Sequence, residues 1–207
     1  MITEPLVEIF NEALSSGVFP DEWLTSKVLF FHKEGNKLDP NNYRTINIQD
    51  AITKLFSKAM TQRFHIFLEG NNILHKSQFG YRKGLGTIGP TVILHNIAKQ
   101  TLGIRKKKLY ACFVDYRKAF DGVRRNILLK KLRYMGIPRL FLKLVLYIFD
   151  NTKLSVSTTD ANYDQIKTNI GILQGDALSA LLFNCYLADL APEFEKENMD
   201  LSYKKKE

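Results

Sequence analysis

Only two cysteines, Cys112 and Cys185, occur in 207 residues. That excludes a disulfide framework and a thiolate metal cage, and both residues read as reduced thiols. Six prolines and twelve glycines are too few for a collagen-like or linker-like chain. No long apolar run is present. The longest, LFLKLVLYIF at 140–149, is interrupted by Lys143 and falls well short of the ~20 residues of a membrane-spanning helix. A basic leader is also lacking, since MITEPLVEIF carries Glu4 and Glu8. The expectation is an unsecreted, intracellular protein, nuclear or cytoplasmic. What is there is ordinary for a globular chain: 45% hydrophobic and 25% charged residues, enough for one domain with a sizeable core.

Charge is unevenly placed. The net formal charge is +9, yet residues 101–150 alone hold 13 Lys and Arg against 3 Asp. A local basic block of this kind suits a polyanionic partner. A plain solvated face accounts for the same run.

The coarse pattern is α+β, with helices around a small, mostly antiparallel sheet. Leu6, Ile9, Phe10, Ala13 and Leu14 recur at helical spacing after Pro5, and Gly17 ends that helix. KVLFFHK (27–33) and YRTINI (43–48) read as a β-hairpin with a long tip. Asp50 begins a helix with a stripe of Ile52, Leu55, Phe56, Ala59, Met60, Phe64, Phe67 and Leu68, stopped by Gly70. SQFGYRKGLGTIGP (77–90) is Gly-rich and basic, and Pro90 opens a helix to Leu102. LYACFVDY (109–116) is a continuous apolar run ending in Asp115, the pattern of a strand covered on both faces. Asn126 is expected to cap a short helix to Gly136, and Pro138 to open another to Phe149. A second hairpin is expected over 153–170, then one helix from Ala177 to Glu195, then a frayed tail over 201–207.

Three groups of residues have chemical potential. Asp115 closes an apolar strand pattern, where a carboxylate needs hydrogen bonds or a cation. Asp121 follows six residues later, and the same spacing suits a strand end and a turn cap. Gln174 and Gly175 precede a helix, where backbone N–H groups favour phosphate or sugar oxygens; a simple turn and cap also fits. Lys27, Lys33, Lys37 and Arg44 lie on or beside the first hairpin, where cations from adjacent strands clamp phosphates. The four histidines show no ligand-like pairing.

Taken in order, FNEALSSGVFPDEW, FHKEGNKLDPNNYRTI, ITKLFSKAMTQRF, ILHKSQFGYRKGLGT, LYACFVDYRKAFDGVRRNILLKKLRYMGIP and IGILQGDALSALLFNCYLADL resemble the reverse transcriptase domain of non-LTR (LINE-like) retrotransposons. The resemblance runs through nearly the whole chain. It implies a right-hand polymerase, with fingers over about 1–105 and an incomplete palm over about 106–200. It implies RNA-directed DNA polymerisation on an RNA template or RNA/DNA hybrid, from deoxynucleoside triphosphates, with two Mg²⁺ ions. Asp115 matches the first metal-binding carboxylate. Phe120 matches the bulky residue that excludes a ribose 2′-OH. Arg44, with Lys33 as its lysine partner, matches residues that touch the incoming triphosphate, and Gln174 and Gly175 match the strip beside the nucleotide. Arg82 and Lys83 fall in the template-guiding segment. Arg105, Lys106, Lys107 and Lys108 form the adjoining basic run.

The sequence departs from the family pattern at several points. Thr45 stands where the family has Pro, and Asp176, Ala177 and Ala180 replace the Cys-Pro and second Pro of the strip. No Tyr-x-Asp-Asp occurs anywhere in the 207 residues. The expectation is a reverse transcriptase truncated before that motif and inactive alone. The alternatives are a non-enzymatic RNA-binding module or a retroelement remnant.

Overall fold

A computed structural model describes residues 3–104, 107–156 and 165–199. Helix α1 (Thr3–Ser16) is followed by Gly17 in the left-handed region at φ +73°, which turns the chain toward a 3₁₀ turn over Asp21–Leu24. Strands β1 (Thr25–His32) and β2 (Tyr43–Ile48) then form the expected antiparallel hairpin, with Phe31 opposite Arg44 and Lys27 opposite Ile48. Helix α2 (Ala51–Gly70) is the longest element, and helix α3 (Ile88–Ala98) passes into a π-helical segment over Lys99–Ile104. Helices α4 (Arg125–Tyr134) and α5 (Arg139–Asn151) lead to β3 (Lys153–Val156) and β4 (Gln165–Lys167). Helices α6 (Ala177–Tyr186) and α7 (Leu190–Met199) complete the described chain.

The four described strands form one sheet in the order β2-β1-β3-β4. Both hairpins are antiparallel, and β3 joins β1 in parallel, with Thr25 opposite Lys153. The parallel pairing needs a long crossover, and α2 through α5 lie within it. Mixed pairing around a mostly antiparallel sheet agrees with the expected α+β class.

One buried cluster runs through the molecule, from Ala13 and Phe19 through Phe56, Phe64 and Leu68 of α2 and Leu128 and Leu132 of α4 to Leu181, Leu182 and Cys185 of α6. Helix α6 packs against α2 and α4. An aromatic group joins α1, the 3₁₀ turn and α2: Phe10 and Phe19 meet Phe56 edge-on at ring separations of 5.2 and 5.4 Å. Burial pushes the Cys185 thiol up to about 12, so it stays a neutral core side chain.

Several expectations are corrected. Residues 109–116 form no strand: none of the four described strands pairs with them, and Tyr110, Phe113 and Val114 are 85%, 82% and 69% exposed. An apolar run becomes a buried strand only where a neighbour accepts its N–H and C=O groups, and the sheet is built without it. The expected stripe of α2 holds at Phe56, Met60, Phe64 and Leu68, which are buried, but not in the first turns, where Thr53 and Ser57 are buried, Ile52 and Leu55 are exposed, and the Ser57 hydroxyl bonds the Asp176 carboxyl. Arg124, not Asn126, occupies the N-cap of α4. The helix expected over 177–195 breaks at Leu187, separating α6 from α7. Lys131 of α4 donates to the Tyr186 carbonyl and the Asp189 carboxylate, both at 2.6 Å, and so holds that break. The expected tail over 201–207 lies outside the described residues.

Candidate functional site

Three stretches far apart in sequence meet at one open cleft of about 550 Å³. The first is the hairpin. Arg44 and Ile46 lie two apart on β2 and therefore share a face, and Lys33 follows the end of β1. The Lys33 N–H donates to the Asn42 carbonyl at 2.8 Å, which continues the hairpin pairing past its last formal strand residue. The second is the turn over 116–122, which contributes Tyr116, Lys118, Phe120 and Asp121. The third is Gln174, Gly175 and Asp176, ahead of α6.

Hydrogen bonds tie these stretches together. The Gln174 carbonyl accepts from the Asn47 N–H at 2.7 Å and from Asn47 Nδ2 at 3.2 Å, which fastens the strip to β2. Gln174 Nε2 donates to Asp121 Oδ1 at 2.9 Å, which fastens it to the turn. Lys118 Nζ donates to Asn41 Oδ1 at 2.8 Å, closing turn against hairpin tip. Gly175 sits at φ +108°, and a Cβ there would lie 2.7 Å from the Asn47 carbonyl oxygen. Only glycine fits that close approach of two backbones. Gly171, at φ +85°, packs in the same way against Asp121, whose carbonyl oxygen would lie 3.0 Å from an added Cβ.

Aromatic contacts form one wall. Phe120 stacks on Phe183 of α6 at 5.0 Å and meets Tyr81 edge-on at 6.3 Å. The Phe120 ring is thereby held in place and presents its remaining face to the cleft. Lys33, Arg44 and Lys118 supply three cations, and Asp121 and Asp176 two carboxyl groups. Burial pushes the Asp176 carboxyl above its ordinary value, against the hydrogen bond that it accepts from the Ser57 hydroxyl. The balance of charge in the cleft favours an anion with a flat apolar part.

Five of the residues singled out in the sequence, Lys33, Arg44, Phe120, Gln174 and Gly175, line this one cleft. Asp115 does not. It lies exposed on the unpaired stretch and is absent from the lining. Among the described residues, no group of three or more His, Cys, Asp or Glu side chains is arranged to hold a metal ion. The described carboxylates therefore do not fit a two-metal cage.

The basic residues divide differently. The Arg82 guanidinium is turned inward. Nε and Nη2 grip the Glu69 carboxylate at 2.7 and 2.6 Å, and Nη1 donates to the His75 and Gln78 carbonyls at 3.0 and 3.2 Å. Arg82 thus shapes its own segment. Asn184 of α6 assists, donating to the Gly80 carbonyl and accepting from Gln78 Nε2, both at 2.9 Å. Lys83 and Lys108 are exposed. The Lys107 N–H donates to the Thr101 carbonyl at 2.8 Å. Arg105 and Lys106 lie outside the described residues.

Arg125 escaped the sequence reading. Its guanidinium donates to the carbonyls of Gly171 and Phe149, both at 2.8 Å, to the Thr168 carbonyl, and to Thr168 Oγ1 at 2.8 Å. It also lies 4.9 Å from the Phe149 ring centroid. Burial pulls its pKa down from the usual arginine value. This residue anchors the stretch that delivers Gln174. One signal was available: Arg125 stands at the head of an amphipathic helix, where acids rather than bases are favoured.

Comparison with known proteins bears on this arrangement. The family model for reverse transcriptase (RNA-dependent DNA polymerase) matches residues 31–204. The RNA-directed DNA polymerase from mobile element jockey of Drosophila funebris is 32% identical over 189 residues, covering 89% of this chain and 20% of that protein. The probable RNA-directed DNA polymerase from transposon BS of Drosophila melanogaster is 27% identical, covering 89% and 20%. The retrovirus-related Pol polyprotein from type-1 retrotransposable element R2 of Nasonia vitripennis is 26% identical, covering 90% and 18%. The chain spans about a fifth of the length of these relatives. The matched span includes Lys33 and β2, the 116–122 turn and the 174–176 strip that build the cleft, and on that match the chain belongs to the reverse transcriptase (RNA-dependent DNA polymerase) family.

Proposed function

We propose that the chain is the fingers and nucleotide-binding part of the palm of a non-LTR retrotransposon reverse transcriptase, with fingers over about 1–105 and palm over about 106–200. In this reading the cleft receives a deoxynucleoside triphosphate opposite an RNA template. Lys33 and Arg44 take the phosphates by charge-assisted hydrogen bonds. Phe120, fixed by Phe183, stands where a ribose 2′-OH would have to fit. Gln174 and Gly175 present backbone and amide to the nucleotide. Lys83 and the basic run over 105–108 follow the RNA or hybrid backbone. The single observation that supports the reading is the convergence of Lys33, Arg44, Phe120, Gln174 and Gly175 on one cleft.

Mg²⁺ belongs to this reading only as the family's divalent ion. Asp115 is the one carboxylate that the resemblance assigns to it, and the described acids do not fit the ion pair. No step is derived through it. That misfit is also the observation behind a second reading, an RNA-binding role without catalysis.

Titration with a fluorescent deoxynucleoside triphosphate tests the proposal. Lys33→Ala and Arg44→Ala should each weaken binding about tenfold, the loss expected for one charge-assisted contact. Phe120→Ala should let the corresponding ribonucleotide compete. RNA binding with no measurable triphosphate binding would favour the second reading.

A further inference from the structure

Helices α4 and α5 carry six Lys and Arg against one acid, Asp150. Arg125 and Lys131 are turned to partners within the protein. Arg133 of α4 and Arg139 and Lys143 of α5 are not. All three are exposed, and their side chains make no ion pair or hydrogen bond among the described residues. They stand around an open groove of about 600 Å³ between the two helices, with Leu129, Leu142 and Leu146 in its apolar lining. Helical spacing builds it. Leu129 and Arg133 share one face of α4 at i and i+4, and Arg139, Leu142, Lys143 and Leu146 share one face of α5 at i, i+3, i+4 and i+7. No described acid lines the groove, and it shares no residue with the nucleotide cleft.

The complementary surface is on the same chain. Helix α7 is acidic, with Glu193, Glu195 and Glu197 against Lys196. Leu190, Glu193, Phe194 and Glu197 recur at i, i+3, i+4 and i+7 and so share one face. Leu190 and Phe194 are 38% and 53% exposed, and both glutamates of the stripe are exposed. Glu193 meets only Lys196, in an exposed pair of little energetic worth. The stripes on α5 and α7 each cover seven residue steps, roughly 10 Å of helix, so their leucines and charges can lie in register. Within one chain, α7 is held by residues off this stripe: Asp189 bonds Lys131, and Glu195 lies 3.3 Å from His75. No described α7 residue lines the groove of its own chain.

We propose that the α4–α5 groove receives helix α7 of a second copy of this chain. Leu190 and Phe194 then cover the groove leucines, and Glu193 and Glu197 meet Arg133, Arg139 and Lys143. The start of α7 adjoins α4 through the Lys131–Asp189 bond. Groove and stripe therefore lie beside the same helix, which suits a two-fold exchange in which each copy gives its α7 and receives the other's. Charge complementarity selects the occupant. A nucleic-acid strand fits less well, because the groove floor is aliphatic and no aromatic side chain lines it to stack a base. A helix with apolar and acidic groups on one stripe satisfies both parts of the lining. The proposal stands apart from the nucleotide-binding reading, and failure of either leaves the other intact.

Sedimentation velocity tests it in a Phe113→Lys background, which suppresses association through the 109–116 stretch. This parent should dimerise as concentration rises and lose dimer as salt screens the pairs. Arg139→Glu/Lys143→Glu and Glu193→Lys/Glu197→Lys should each weaken dimerisation about tenfold or more. Mixing the two variants should restore it, because one contact is then native and the other has both signs reversed. Carbodiimide cross-linking of isotope-labelled with unlabelled unmodified chain needs no variant, and should join Lys143 to Glu193 or Glu197 across copies. A parent that stays monomeric, association untouched by either reversal, folded variants whose mixture stays monomeric, or no such cross-link would each overturn the proposal. Loss of RNA binding in Arg139→Glu/Lys143→Glu with self-association intact would assign the groove to nucleic acid and overturn it as well.

Discussion

Asp176 is the acid on which proton balance in the cleft turns. Its folded-state pKa lies above the ordinary 3.8 because burial disfavours the charged form. The folded chain therefore binds this proton more tightly than the unfolded chain. Its contribution to stability is complete below about pH 4 and is lost as pH rises toward the folded value. Asp176→Asn keeps an oxygen for the Ser57 hydroxyl and removes the titration. It should raise stability at pH 7 and leave it unchanged at pH 3, measured by thermal melts across pH. Gly175 answers to backbone geometry instead. Gly175→Ala would force a residue with a side chain into φ +108° and place its Cβ 2.7 Å from the Asn47 carbonyl oxygen. A loss of about 2–3 kcal/mol in denaturant unfolding is expected, with weaker triphosphate binding because Gln174 shifts with it.

At the level of elements, Arg125 couples α4 to the stretch over 168–171 through three hydrogen bonds and to Phe149 of α5 through a fourth. Arg125→Leu leaves three carbonyls without that partner and should cost about 3 kcal/mol, while Arg125→Lys, a single point donor, should recover only part of it. Chemical denaturation of both variants is the measurement. The elements themselves were unevenly legible. Helices α1, α4 and α5 and the first hairpin follow from periodicity and stop signals, because their buried faces are set by local spacing. The first turns of α2 were not, since Ser57 faces inward to bond Asp176, more than a hundred positions away. The 109–116 stretch misled for the same physical reason. Composition marks a run as suited to a buried strand, but a strand exists only with a neighbour. At the cleft, Lys33, Arg44, Phe120, Gln174 and Gly175 were legible through family-like motifs. Arg125 and the inward turn of Arg82 depend on tertiary partners that no motif encodes.

Across the whole molecule, the basic surplus over 101–150 predicts RNA binding that tolerates sequence and falls steeply with salt. Fluorescence anisotropy across a salt series should show Lys107→Ala/Lys108→Ala weakening RNA affinity and flattening the slope; an unchanged slope would remove that run from the interface. With no Tyr-x-Asp-Asp among its 207 residues, the chain assayed by itself should give no primer extension. Exposed Tyr110, Phe113 and Val114 beside unpaired backbone should promote self-association, read as concentration-dependent light scattering that a Phe113→Lys variant reduces.

The bond from the Asn47 N–H to the Gln174 carbonyl gives this surface a mechanical character. Together with the Lys118–Asn41 contact at the other end, it makes the hairpin and the two strips beneath it a single lever rather than three loops. A ligand that drew Arg44 inward would drag Gln174 and the 116–122 turn along with it. Occupancy on the hairpin side would then be felt at Phe120 on the opposite wall.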